Sequence, residues 1–228
     1  MQRRKFMSGV AVAGGLGALG AGLDAHAIAV SEGDAALGVR AALERGAVAA
    51  VGLLGQRGGF LDNPRVRIEL PGALRDAAKL LALTGQRGRI DELVTAMNRA
   101  AEAAVPEAKA LLVSAVKAMS VKDALGVVSG GGTSVTDFFV DKTRAPLALR
   151  FLPIVTRATQ KVSLAAKYNA VAGKAADFGL VGRDEANIEK YVTGKALDGL
   201  YLMIGEEERN IRADPVGTGS AILRKVFG

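Results

Sequence analysis

Residues 93–143, LVTAMNRAAEAAVPEAKALLVSAVKAMSVKDALGVVSGGGTSVTDFFVDKT, decide the fold, because they set three helical patterns and their punctuation side by side. Ile90, Leu93, Val94, Met97, Ala101 and Ala104 recur at helical spacing and share one side of a helix. Pro106 has no backbone N–H to continue that helix, ends it, and suits the first turn of the next. The second pattern presents Leu111, Leu112, Ala115, Val116 and Met119. Ser120 and Asp123 then form a capping pair for a third helix: the hydroxyl accepts an orphan backbone N–H and the carboxylate favours the positive helix end. Gly130, Gly131 and Gly132 break the third helix, and Thr133 is placed to cap a fourth through Phe138 and Phe139.

Upstream, Ser31 and Asp34 read as another capping pair before an alanine-rich helix carrying Leu37, Leu43, Ala47, Val51 and Leu54. Gly38, Ala42 and Gly46 lie four apart on it and would let a neighbouring helix approach closely. Gly58 and Gly59 end that helix. In residues 60–70, FLDNPRVRIEL, Val66, Ile68 and Leu70 alternate with Arg65, Arg67 and Glu69, which predicts one short extended segment. Pro71 opens a further helix that stops at Gly85. Downstream, Pro146 and Pro153 bracket a short piece leading into a long helix towards Lys174, and residues 173–182 read as a connection. In the last helix, residues 196–204 (ALDGLYLMI) are apolar on nearly every side and predict the most buried helix, with Asp198 inside the run. Glu206, Glu207 and Glu208 should return it to solvent, with Arg212 one turn after Glu208. The chain therefore reads as all-α: a single-domain helical bundle of about seven to nine helices with at most one short extended segment.

The first residues read as an address rather than as structure. Arg3, Arg4 and Lys5 precede an uncharged Gly/Ala/Val/Leu run and then Ala25-His26-Ala27, the layout of an export signal with paired arginines of the twin-arginine type. Cleavage after Ala27 would leave residues 28–228 as the mature, periplasmic domain. His26 is the chain's one histidine, and cysteine and tryptophan are absent. The mature chain thus lacks the side chains for histidine bases, cysteine nucleophiles and nitrogen- or sulfur-ligated zinc, haem or iron–sulfur sites. No disulfide can staple the fold, so its stability must come from apolar burial. Neither a cofactor nor a metal site is expected.

Five segments carry a resemblance. MNRAAE at residues 97–102, GFLDNPRVRIELP at 59–71, YVTGKALDGLY at 191–201, EEERNIRADP at 206–215 and the closing LRKVFG resemble the proteobacterial family catalogued as domain of unknown function 4197. The resemblance covers nearly all of residues 28–228. It implies an exported, mostly helical domain and implies no reaction. One stretch departs from the family pattern, which places an acidic residue and an Ala-Ala-Thr-like run at residues 130–136, where Gly132, Ser134 and Val135 stand here.

Several residues are candidates for chemistry. GGGT before a helix could form an anion-binding nest, but no Gly-Lys-Ser/Thr follows, so a nucleotide-binding loop is rejected. Asp198, in an apolar run, should be paired or shifted in pKa, with Lys195 as its local partner. Asn98 and Glu102 lie one turn apart beside an apolar helix face, and buried hydrogen bonds that fix helix register are their favoured role. Arg99 should face water. Asp123 completes the set of polar candidates.

The formal charge of +7 is unevenly distributed. Residues 57–89 carry 7 basic against 3 acidic side chains, and residues 145–183 carry 6 against 1. If helical phase holds across Pro153, Arg150, Arg157 and Lys161 share one face, with Phe151, Val155, Val162 and Ala166 on the other. Arg65 and Arg67 could extend the patch. Nucleic acid is an unsuitable partner for an exported protein, which leaves an anionic membrane surface, an acidic protein or an apolar small ligand between helices. The preferred reading is a non-enzymatic envelope protein. The alternative is a carboxylate-dependent hydrolase, and it requires two or more of Glu102, Asp123 and Asp198 to meet in one cleft.

Overall fold

The computed structural model describes residues 32–214. The expected export segment, Ser31 of the first capping pair and the closing LRKVFG lie outside the described residues. Among the described residues eight α-helices follow one another: α1 (Glu32–Gly55), α2 (Gly72–Leu83), α3 (Arg87–Ala104), α4 (Ala108–Lys117), α5 (Val121–Ser129), α6 (Ser134–Thr159), α7 (Ser163–Asp177) and α8 (Ile188–Ala213). A single 3₁₀ turn, Val105–Glu107, links α3 to α4 with Pro106 at its start. No strand occurs among the described residues. The all-α helical bundle expected from the periodicity is what forms.

The chain packs around α6. Its buried side chains are Val135, Phe139, Thr143, Leu147, Phe151, Val155 and Thr159, each four residues after the last. Four residues overshoot one 3.6-residue turn, so every step rotates the buried position by about 40° and the stripe winds around the helix. Such a winding stripe lets α6 pack against α8, α3, α4 and α5. Phe139, Leu147, Phe151 and Val155 are fully buried along it, and each such apolar side chain stabilises the fold by about 1.5–3 kcal/mol.

Two proline expectations are corrected here. Neither Pro146 nor Pro153 breaks α6, which runs unbroken from Ser134 to Thr159. The prolines are seven residues apart and so on nearly the same side, half-buried and exposed respectively. On that side, carbonyls that lose their helical partner can turn to water, while the buried stripe holds the helix together. The expected long helix towards Lys174 is instead two helices, because Val162 adopts an extended conformation (φ −93°, ψ 108°) before α7. Lys161 accordingly sits in the link rather than on the face of Arg150 and Arg157, and Ala166 is exposed rather than apolar-facing.

The last helix, α8, packs against α6 and α1 and is buried at most positions from Val192 to Glu208. At Gly199, an added Cβ would lie 2.8 Å from Phe60 Cε1, so only glycine lets the loop of residues 56–71 lie directly on the helix. Behind that loop, α3 supplies Leu93, Met97, Ala100, Ala101 and Ala104, all fully buried. The predicted apolar side of α3 is thus the side that faces the core.

Candidate docking surface

The polar candidates on α3 hold the fold. Asn98 is fully buried. Its Oδ1 accepts the Ile68 backbone N–H at 2.8 Å, and its Nδ2 donates to the Ile68 carbonyl at 2.9 Å and to Val94 O at 2.8 Å. One side-chain amide therefore replaces the strand partner that residues 66–70 lack. That is why the alternation of Val66, Ile68 and Leu70, all buried, needs no sheet. One turn on, Glu102 Oε1 accepts backbone N–H groups from Gly58 (3.2 Å), Phe60 (3.1 Å) and Leu61 (3.0 Å). Its Oε2 accepts from Arg99 at 2.6 Å, so Arg99 is a partner of this carboxylate and not a solvated residue. Burial pushes the Glu102 pKa up, but the bonds from Leu61, Arg99, Phe60 and Gly58 together outweigh it and hold the group below its ordinary value.

The remaining carboxylates are also engaged, each in a different place. Asp123 accepts Ser120 N at 3.0 Å and Ser120 Oγ at 2.7 Å while Ser120 Oγ accepts Asp123 N, which completes the expected capping box. The Ser120 hydroxyl and backbone N–H lower its pKa. Thr133 does not cap α6 as expected, because its hydroxyl donates to Asp137 instead. Asp198 is not enclosed: its side chain is 49% exposed, bonded to Arg144 at 2.7 Å with Lys195 at 3.8 Å. The apolar run around it left one strip of α8 facing outward, and Asp198 stands on that strip.

Glu206 and Glu208 reverse the expectation of a solvated acidic run, since both are buried. Glu206 pairs with Arg65 and, at 3.8 Å, with Arg209. Glu208 pairs with Arg212 at 2.9 Å, and Arg212 also donates to Val127 O at 2.9 Å, tying α8 to the end of α5. Nothing in three consecutive glutamates distinguishes the two that turn inward. The signal was in their distant partners, Arg65 and the α5–α6 turn.

The basic residues separate into two sets. Arg65 is bound to Glu206, and Arg67 bonds Glu69 at 3.1 Å and Leu61 O at 2.6 Å. Both belong to the loop and α8, and they do not extend the patch of Arg150 and Arg157. By contrast Arg150, Arg157, Lys161, Lys167, Lys174 and Arg183 are all exposed, and none has an ion-pair or hydrogen-bond partner among the described residues. Arg150 and Arg157 lie seven apart on unbroken α6 and share a face.

On α7, Ala165, Tyr168 and Ala172 are buried, while Lys167, Val171 and Lys174 form an outward strip continued by Phe178 at the helix end. Tyr168 donates to Glu185 O at 2.7 Å, and Asn169 accepts Ile188 N–H at 2.8 Å and donates to Glu189 at 2.7 Å, so α7 is fastened to the start of α8 by its inner face.

The end of α7 presents apolar side chains to water. Gly179, at φ +73°, permits a Schellman closure, in which Leu180 N–H bonds Ala175 O and Gly179 N–H bonds Ala176 O, each at 3.0 Å. Such a closure usually tucks the following apolar residue against the helix. Here Phe178 is 83% and Leu180 79% exposed, and Val171 is 71% exposed two turns back. Asp177 is the one carboxylate within residues 145–183.

Four of the five segments noted in the sequence meet around one loop: Asn98 and Glu102 bind it, Glu206 pairs with its Arg65, and Tyr191 donates to Glu69 O at 3.0 Å. The family model described as "Protein of unknown function (DUF4197)" matches residues 29–228. The chain belongs to that family. No curated protein and no solved structure matched it. In this DUF4197 chain those four segments hold the fold, whereas the unpaired cations and the Phe178–Leu180 tip lie outside all five.

Proposed function

We propose that this is an exported, non-enzymatic envelope protein that docks on an anionic membrane surface through the outer side of α6 and α7. The observations that carry the reading are the exposed Phe178 and Leu180 and the six exposed cations of α6, α7 and the segments that follow them, which have no ion-pair partner among the described residues. An apolar tip can enter the headgroup region while each nearby cation contributes about 1 kcal/mol at an anionic surface. The hydrolase reading is the weaker one, because Glu102, Asp123 and Asp198 are engaged at three separate places and do not converge.

Vesicle co-sedimentation tests the docking. Wild-type protein should bind vesicles rich in phosphatidylglycerol, bind neutral ones weakly, and lose affinity as salt rises. Replacing Arg150, Arg157 and Lys161 together by glutamine should weaken binding by about tenfold to a hundredfold. Phe178→Ser with Leu180→Ser should reduce the part of binding that survives high salt. Binding that ignores both salt and these substitutions would defeat the proposal. Export rests on residues 1–27, and intact mass of the periplasmic protein should show a chain that begins at Ile28; a retained leader would remove that part.

A further inference from the structure

The turn between α2 and α3 repeats the construction of the α7 tip. Residues 82–89 are exposed apart from half-buried Gln86, and Leu83 is 84% exposed, as much as Phe178. Gly85, at φ +78°, ends α2 as Gly179 ends α7. The two closures use the same bonds. Gln86 N–H bonds Leu81 O at 2.9 Å and Gly85 N–H bonds Ala82 O at 3.3 Å, the same spacings of five and three residues that Leu180 and Gly179 span. Side chains tie the turn further: the Thr84 hydroxyl donates to Leu81 O at 3.0 Å, Gln86 Nε2 to Thr84 Oγ1 at 3.3 Å, and Arg89 Nη1 to Gln86 Oε1 at 3.2 Å. Leu83 lies off the side of α2 that is buried, which carries Leu74 and Ala78.

One exposed leucine is ordinary on a protein surface. Here it recurs with the same helix closure and with cations. Residues 79–89 hold Lys79, Arg87 and Arg89 and no carboxylate. Arg87 and Arg89 are exposed, and neither has an ion-pair partner among the described residues. Moreover α7 packs against α3, so the helix that ends in one tip rests on the helix that begins at the other.

We infer that the α2–α3 turn is a second contact with the anionic membrane surface, an inference that rests on the docking proposed for α6 and α7. Leu83 enters the headgroup region as Phe178 and Leu180 do, and Arg87 and Arg89 meet lipid phosphates beside it. Asp91 and Glu92 follow the two arginines and offset part of their attraction, so Leu83 contributes the larger share at this turn. Two contacts on one folded body bind more tightly than either alone, because the first raises the effective concentration for the second.

The mature chain has no cysteine, so one introduced cysteine places a solvatochromic dye at a single site. Labelled Leu83→Cys and Leu180→Cys should each shift emission to the blue with vesicles rich in phosphatidylglycerol, and neither should shift with phosphatidylcholine. Labelled Leu53→Cys, on α1, should respond to neither. In co-sedimentation, Leu83→Ser should weaken binding by about fivefold or more. Arg87→Gln with Arg89→Gln should weaken it by about twofold to fivefold, and only at low salt. All these positions are exposed, and an unchanged melting curve verifies that each variant is folded.

A dye that responds at Leu180 but not at Leu83, or a Leu83→Ser chain that binds as wild type does, would overturn this contact and leave the α7 docking standing. An equal response at Leu83 on phosphatidylcholine would also overturn it. So would an equal response at Leu53, which would mean that the chain spreads on the bilayer without a preferred face. A wild-type chain that ignores anionic vesicles would remove the docking and this contact together.

Discussion

Replacing Glu102 by alanine should lower the unfolding free energy at neutral pH by about 3–5 kcal/mol, the cost of breaking a buried pair from one side. The side chain is nearly enclosed, and its loss strands three backbone N–H groups at residues 58, 60 and 61 and the Arg99 guanidinium. Glu102→Gln keeps an acceptor but loses the charge, and should cost about 1.5–3 kcal/mol. The two variants also differ from wild type in their response to acid. The folded-state pKa of Glu102 lies below its ordinary value of 4.5. Its contribution is therefore fully present above that value and is lost as pH falls through the folded pKa. Denaturant unfolding measured at neutral pH and near pH 3 checks this: the gap between wild type and Glu102→Gln should narrow in acid. A gap that stays constant would mean that the carboxylate charge contributes nothing.

Asn98→Leu should cost about 4 kcal/mol, although the volume changes little and no cavity opens. The change leaves the Ile68 N–H and C=O, on a residue 2% exposed, without partners, and each orphaned group costs about 1–3 kcal/mol. For a domain of this size that lowers the melting temperature by roughly 10 °C. The Ile68 amide should also exchange with solvent far faster than its neighbours in α3. Asn98→Asp should not rescue, because a carboxylate cannot donate to Ile68 O or Val94 O and would bury a charge. A melting temperature within a degree or two of wild type for Asn98→Leu would show that water replaces the amide.

The two substitutions act on the same loop from adjacent turns of α3, so their effects should not add. Their common target, residues 56–71, has no regular structure and is nonetheless among the best-held parts of the chain. Its own Phe60 is fully buried, and Gly199 of α8 gives it room to settle. A short extended segment was legible from the alternation of Val66, Ile68 and Leu70. What it pairs with was not, because an asparagine side chain can stand in for a strand only where a helix places it at the right distance.

By itself, the sequence determined the helices whose cause is local. The periodicity of α3, the stop at Pro106, the Ser120–Asp123 capping box and the break at residues 130–132 involve residues at most a few positions apart, and each formed as read. Tertiary structure decided the rest. Pro146 and Pro153 were tolerated because a stripe of seven buried side chains, at spacing four, holds α6 against neighbours distant in sequence. Glu206 and Glu208 turned inward because Arg65, 141 residues before Glu206, and the α5–α6 turn meet them there. Asp198 turned outward because α6 and α8 pack along other sides. Arg65 and Arg67 were removed from the cationic patch by partners that only the fold supplies, while the same packing gives the cations from Arg150 to Arg183 no ion-pair partner among the described residues. Local rules act through the backbone over one or two turns; which side chain meets which charge depends on helix crossings, and those are fixed only when the whole core closes.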